Sequence, residues 1–239
     1  MIAEATALPT VILCGGKGSR AYPHAETVPK ALFEVGGKPV LEHVMGVYAL
    51  QGFRDFVLAG GYLIDALRVF ADRIQMACGW RVAVSDTGLE ANTGERVKRC
   101  AERAGERFFL TYCDGLANVD LHGLLDHHLS HGALMTVTAV PLQSQYGILE
   151  LDGGDRVRCF REKPLLPQHL VNGGFFVVER AALAYCGDDL EHDMLPKLAA
   201  DGQLVARRHD GFWRSMDTYK DLLDLRSISA LGEPPWLSV

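Results

Sequence analysis

The sequence predicts an α/β fold: a mixed, mainly parallel sheet flanked by helices, with antiparallel additions over the sheet's carboxyl edge. Three observations lead there. Up to residue 140, short β-branched runs alternate with amphipathic segments of helical period, the pattern of βαβ crossovers. Glycines gather directly after the first apolar run. Beyond residue 140 the alternation gives way to short strands separated by turn-rich segments such as Asp152 to Asp155.

Residues 10–14 form a continuous apolar run of strand length that stops at a glycine turn. Over 38–50, Val40, Leu41, Val44, Val47 and Tyr48 recur at helical spacing and predict the first helix. Residues 55–59 form the next strand, and 63–76 the next helix, with Leu63, Leu67, Phe70 and Ile74 on one face. A strand over 80–85, a charged helix over 95–104, a strand over 107–112, a helix over 121–131 and a strand over 134–140 complete the alternation. Strands then follow at 148–151, 157–161 and 174–178, a helix at 190–200, strand-like runs at 204–208 and 212–215, and a last helix at 218–227. With no Pro/Ser-rich linker, repeat or low-complexity stretch, residues 1–239 read as a single domain, and ligands are expected at the carboxyl ends of its parallel strands.

Composition excludes several classes. The chain has 239 residues, 48% of them hydrophobic, enough for a sizeable core and too many for a minimal binding module. Its 24 basic and 30 acidic residues leave a net charge of −6, which argues against a nucleic-acid partner. Six scattered cysteines without a CxxC pair suit a reducing cytoplasm and no structural zinc. No apolar run is long enough to span a bilayer, and residues 1–9 lack the basic and apolar regions of a signal peptide, so no membrane partner is expected. His122, His127, His128 and His131 cluster on one predicted helix; no carboxylate or cysteine pattern nearby completes a tetrahedral metal site, and a solvated helix face is expected.

The most informative stretch runs from Leu13 through Gly15, Gly16, Gly18 and Ser19 to Arg20, followed by Pro29 and Lys30. Glycines after a buried strand let backbone N–H groups approach an anion closely, and Arg20 and Lys30 add positive charge. The P-loop pattern fails because Gly18, not Ser or Thr, follows Lys17. Gly16, Gly18 and Ala21 satisfy the permissive dinucleotide pattern, but Tyr22, Pro23 and His24 continue as a loop rather than a helix, which disfavours a nicotinamide oxidoreductase.

These residues resemble the N-terminal signature of sugar-1-phosphate nucleotidyltransferases. Gly36 to Pro39, Asp86 to Gly88, Thr93 to Arg96, Tyr112 to Gly115, Phe160 to Pro164, Asn172 to Phe176 and Phe212 to Thr218 continue the likeness in order, from Val11 to Asp224. The set looks most like the glucose-1-phosphate cytidylyltransferase branch. The resemblance implies a Rossmann-like nucleotidyltransferase fold with a nucleotide-binding half over 10–140 and an acceptor-binding and C-terminal half over 141–239. It implies an enzyme that joins CTP to a sugar 1-phosphate, giving a CDP-sugar and pyrophosphate, with Mg²⁺ as cofactor and homo-oligomeric assembly.

The resemblance also implies roles. Asp114 and Asp217 match the metal ligands; hard oxygen donors at a strand end suit Mg²⁺, although Asp217 equally suits the N-cap of the helix that follows. Arg20, Lys30 and Lys163 match the catalytic cations: Arg20 clamps the triphosphate, Lys30 lies beside the reacting phosphates and Lys163 grips the acceptor's phosphate. Leu13, Gly15, Gly16, Gly18, Ser19, Thr93, Gly94, Arg96 and Cys113 match the nucleotide side, and Gly147, Glu162 and Asn172 the acceptor side. Arg96 also reads as one of several charges on a solvated helix.

Two departures stand out. Cys113 replaces the family's usual glycine before the metal aspartate, where a thiol intrudes on the nucleotide unless it points away. Only Met76 to Gly79 bridges a helix and strand between which typical cytidylyltransferases carry an extended insertion, which leaves the acceptor and the subunit interface open. Two alternatives therefore stand beside the leading one: the same chemistry with another triphosphate or a non-hexose acceptor, and a non-catalytic nucleotide-binding regulatory subunit.

Overall fold

The computed structural model of the chain describes residues 8–17 and 27–238. In chain order the first half comprises β1 (Thr10–Leu13), β2 (Glu34–Val35), β3 (Lys38–Pro39), α1 (Val40–Leu50), β4 (Asp55–Gly60), α2 (Ile64–Cys78), β5 (Arg81–Asp86), α3 (Thr93–Ala104), β6 (Arg107–Tyr112), β7 (Gly115–Ala117) and α4 (Leu121–His131). The second half comprises β8 (Met135–Gln143), β9 (Ile148–Leu151), β10 (Val157–Arg161), β11 (Leu165–Glu179), α5 (Leu195–Ala200), β12 (Leu204–Arg208), β13 (Trp213–Ser215) and α6 (Tyr219–Ala230).

Among the described residues, seven strands form the central sheet in the order β12, β8, β11, β6, β1, β4, β5. β1 is parallel to both β4 and β6, β4 to β5, and β12 to β8. β11 alone runs against its neighbours β6 and β8. The expected mixed, mainly parallel sheet is therefore present. The antiparallel additions are hairpin β9/β10 and the pair β7/β13, which follows directly from the carboxyl end of β6. After β1 the chain builds β4 and β5 on one side and returns to β6 on the other. That reversal opens a crevice between the carboxyl ends of β1 and β6, where open α/β sheets bind ligands.

Side chains alternate across β1, so that Ile12 joins one apolar cluster while Val11 and Leu13 join the other. The first cluster packs α1 beneath the sheet through Val44 and Tyr48, and Trp236 closes it from the C-terminal end. Trp236 Nε1 donates to His43 Nδ1 at 3.2 Å, while His43 Nε2 lies 2.8 Å from the Val35 carbonyl oxygen. The first bond requires a bare Nδ1, so His43 is the neutral tautomer that donates from Nε2. The second cluster packs α3 and α5 on the other face through Val97, Cys100 and Leu198.

Helix and strand positions read from periodicity agree closely with the structure. The strand expected at 174–178 is instead the last third of β11, which pairs with β8 from Leu165 onward. Register shifts between Leu166 and Leu170 and between Asn172 and Phe176 absorb Pro167, Gly173 and Gly174, which read as strand breakers in the sequence. The helix expected at 190–200 is a π-helical turn, Leu190–Met194, followed by α5. β2, β3, β7 and the 3₁₀ turn Lys30–Leu32 are too short to show a period.

The histidine helix is not a uniformly solvated face. His128 is 2% exposed. Its Nδ1 lies 2.8 Å from Thr136 Oγ1 and its Nε2 3.0 Å from Glu179 Oε1, because α4 packs on β8 and β11. His131 Nε2 reaches the same Thr136 hydroxyl at 2.9 Å. Among the described residues no helix is long and apolar enough to cross a membrane, and all six cysteines are free thiols.

Candidate active site

Asp114 emerges where β6 ends at the crevice, in the turn into β7. Antiparallel pairing of Gly115 with Ser215, extended by a 3.0 Å bond from Met216 N to Asp114 O, brings β13 alongside and sets Asp217 near Asp114. Lys30, on the 3₁₀ turn begun by Pro29, reaches both: its Nζ lies 2.5 Å from Asp114 Oδ2 and 3.7 Å from Asp217 Oδ1. Burial alone would lower the Lys30 pKa, but the charge and hydrogen bond of Asp114, with smaller contributions from Cys113 and Asp217, raise it above the ordinary lysine value. The ammonium therefore stays charged.

Asp217 is not the helix cap. Thr218 is the N-cap of α6 and forms a capping box with Asp221. Asp217 instead accepts a 2.7 Å bond from Ser215 Oγ at Oδ2, and its side chain is 45% exposed. Among the described residues no group of three or more His, Cys, Asp or Glu is arranged to hold a metal ion. The donor chemistry still fits Mg²⁺, which needs only one or two carboxylates beside phosphate and water oxygens. That the pair already gathers around one cation, the Lys30 ammonium, meets the same electrostatic demand.

The glycine loop begins as expected. Cys14 N continues the β1/β4 ladder to Ala59 O at 3.0 Å, and Gly15 O accepts from Tyr62 N at 3.2 Å. Gly16 and Lys17 are exposed at the crevice. Gly18, Ser19 and Arg20 lie outside the described residues. Leu13 points its side chain into the core and is 7% exposed. A Cβ on Gly15 would collide with the Arg96 guanidinium, so that glycine is a packing requirement.

Arg96 is 4% exposed, at variance with a solvated helix charge. Its guanidinium donates to Thr87 Oγ1 at 2.6 Å and to the carbonyl oxygens of Gly88 (2.9 Å), Gly60 (3.2 Å) and Leu89 (3.3 Å). It thereby ties the carboxyl ends of β4 and β5 to the underside of the glycine turn. Burial, and next the nearby Arg99 charge, lower its pKa. Thr93 and Gly94 turn to segment 186–191: Thr93 Oγ1 donates to Glu191 Oε2 at 2.9 Å and accepts from Leu190 N at 2.8 Å. Gly94 fits against the Gly187 carbonyl, and its own carbonyl accepts from Cys186 Sγ at 3.1 Å.

Cys113 is partly buried and packs against the same apolar cluster as Cys14. The two cysteines follow the paired residues Leu13 and Tyr112 on adjacent strands, and their thiols are in hydrogen-bonding reach. Burial, followed by the Cys113 contact, pushes the Cys14 thiol well up, which makes it a small hydrophobe rather than a nucleophile.

Of the residues expected to bind the acceptor, Gly147 lies against the Phe160 ring and the Glu162 carboxylate beside hairpin β9/β10. Lys163 is exposed at φ +44°, one of two non-glycine residues with positive φ among those described. Asn172 is exposed; its Oδ1 accepts from Gly174 N at 2.8 Å, and its Nδ2 donates to the Tyr112 hydroxyl at 3.3 Å. Trp213 Nε1 donates to Gly173 O at 2.7 Å, tying β13 to β11. A cleft of about 270 Å³ adjoins it, lined by Val140, Gln143, Leu165, Phe212, Trp213 and Arg214. Tyr112, Glu191 and Thr87 were not singled out from sequence. Only Tyr112 and Thr87 lay within quoted motifs, and Glu191 sits in an acidic stretch whose pattern signals nothing beyond a helix.

The nucleotidyl transferase family model matches residues 9–229. The glucose-1-phosphate cytidylyltransferase of Salmonella typhi is 34% identical over 96% of this chain and 98% of its own length. A probable glucose-1-phosphate cytidylyltransferase of Bacillus subtilis is likewise 34% identical, over 96% of this chain and 99% of its own. Among solved structures, HddC from Yersinia pseudotuberculosis complexed with GMP-PN superposes with a TM-score of 0.72 at 20% identity, covering 92% of this chain and 98% of that one, which supports the fold. With a sheet of this topology, a carboxylate pair at its reversal and matches along nearly its whole length, the chain belongs to the nucleotidyl transferase family.

Proposed function

We propose that this chain joins CTP to a sugar 1-phosphate, glucose 1-phosphate first among them, and releases a CDP-sugar and pyrophosphate. The observation that carries the reading is the convergence of Asp114 and Asp217 on the Lys30 ammonium at the mouth of the β1/β6 crevice. The choice of CTP and glucose rests on the cytidylyltransferases at 34% identity.

The chemistry brings two polyanions together, so the barrier is electrostatic and positional. Asp114 and Asp217 would hold Mg²⁺, whose contribution is to neutralise charge on the triphosphate. Gly15 and Gly16 offer backbone N–H groups to the triphosphate, Arg20 clamps it, and Lys30 keeps a full positive charge beside the reacting phosphates. Lys163 holds the acceptor phosphate, while Glu162, Asn172 and the Gly147 backbone take sugar hydroxyls. The acceptor oxygen is already anionic, so no residue need remove a proton, and attack is direct and in line without a covalent enzyme intermediate.

We extend the reading to a single domain that works in the cytoplasm and assembles with copies of itself. Six free thiols suit a reducing compartment. One face of hairpin β9/β10 presents Leu149, Leu151, Val157 and Phe160, each more than half exposed, an apolar surface suited to burial against a second copy. The test of the activity is pyrophosphate release, screened with four triphosphates against a panel of phosphorylated sugars. CTP with glucose 1-phosphate should dominate. Another productive pair would replace the substrates, and silence with every pair would favour a regulatory subunit.

A further inference from the structure

The Glu191 carboxylate bridges the start of α3 and the end of β6. One oxygen accepts from Thr93 Oγ1 at the start of α3, and the other accepts from the Tyr112 hydroxyl at the end of β6. A carboxylate only accepts, so the Tyr112 proton is committed to Glu191 and the Tyr112 oxygen is left as an acceptor. The Tyr112 oxygen receives Asn172 Nδ2–H, and Asn172 Oδ1 is turned to the Gly174 amide, itself in a left-handed conformation at φ +81°. Each bond in the chain thus fixes the direction of the next. The second N–H of Asn172 remains on a side chain that is exposed at the acceptor side.

From this chain of donors we infer that Glu191 and Tyr112 are positioning residues that orient the Asn172 amide as a hydrogen-bond donor toward an oxygen of the sugar phosphate. The inference rests on the proposed reading of Asn172 as an acceptor-binding residue. It assigns Tyr112 and Glu191 to acceptor affinity rather than to the reacting phosphates, although Tyr112 stands two residues from Asp114. With the phenol removed, or Glu191 neutralised, the Asn172 amide is held by the Gly174 N–H alone, its donor is less firmly aimed, and the bond to the acceptor weakens.

The test compares Tyr112→Phe, Glu191→Gln and Asn172→Ala for the Michaelis constants of glucose 1-phosphate and CTP, for kcat, and for the affinity of glucose 1-phosphate alone by calorimetry. Loss of one hydrogen bond between neutral groups predicts a rise of about 3- to 10-fold in the acceptor KM and Kd. The CTP KM and the melting temperature should stay within about twofold and ~2 °C of wild type. In the Asn172→Ala background, Tyr112→Phe should add nothing. A rise in both Michaelis constants, no rise in either, or effects that multiply with Asn172→Ala would overturn the inference. If wild type releases no pyrophosphate with any pair, the functional reading fails. Calorimetry then decides the inference separately: a weaker, non-additive affinity upholds it, and unchanged affinity or no binding overturns it.

Discussion

Lys30 and Asp114 form an ion pair of 2.5 Å in which both side chains are largely shielded, 14% and 22% exposed. The pair joins two pieces of chain 84 residues apart at the point where the sheet reverses. It sets a positive charge directly beside the Asp114 carboxylate at the mouth of the crevice.

Removal of either aspartate charge should therefore act through the metal. Asp114→Asn and Asp217→Asn are each expected to raise the Mg²⁺ concentration for half-maximal rate about tenfold or more and to lower kcat on the order of 10²-fold. A pyrophosphate-release assay titrated with Mg²⁺ reads both. A chelator should abolish turnover of the wild type, and unaltered Mg²⁺ dependence in both variants would refute the pairing.

Arg20 and Lys163 are expected to stabilise charge in the transition state. Loss of either should reduce kcat on the order of 10²–10³. At Lys163 the backbone offers a control, since φ +44° suits glycine. Lys163→Gly should lose turnover while urea unfolding shows stability unchanged or slightly increased. A variant that turns over normally would remove Lys163 from the site.

Arg96 carries a structural burden that its helix position does not announce. Arg96→Ala leaves the acceptors at Gly60, Thr87, Gly88 and Leu89 without their buried donor and opens space beneath Gly15. The expected loss is about 2–4 kcal/mol by urea unfolding. Arg96→Lys should recover little of it, because an ammonium cannot span the acceptors reached by the planar guanidinium.

Stability should fall on the acid side. Burial lowers the pKa of His43, with Lys38 contributing, and also lowers that of His128 against the opposing pull of Glu179. Arg107 and His131 add to the lowering at His128. The unfolded chain then takes up protons first, near the ordinary histidine value of about 6.5. Both contributions are complete above that value and are lost as pH falls from there through the lower folded values. Melting temperatures should decline from pH 7 to pH 5, less steeply in His128→Gln. Protonation of His43 Nδ1 would also evict the Trp236 N–H, so a fluorescence change missing from Trp236→Phe should accompany the step. A flat profile would contradict this.

Periodicity made most of the fold legible. Helix 121–131 agrees with α4, because it buries one face at the helical repeat, and strand 148–151 agrees with β9 although its side chains are mostly exposed. β11 was legible only at its buried end, since Pro167 and the glycine pair conceal a strand that tolerates them at bulges. Within the site, the motif residues Asp114, Asp217 and Lys30 were legible, but their meeting was not. It depends on β13 pairing with β7 across 98 residues of chain, from Gly115 to Trp213.

Residue type and spacing by themselves determined the alternation of elements, the glycine opening after the first strand and the set of charges available for phosphate chemistry. Tertiary structure alone decided what each charge faces. It turned Arg96 inward to carbonyls, relieved Asp217 of capping through Thr218 and Asp221, and placed Glu191 on Tyr112. The reason is physical: local pattern records which face of an element is apolar, whereas hydrogen-bond direction and charge pairing are set by partners that folding brings from distant parts of the chain.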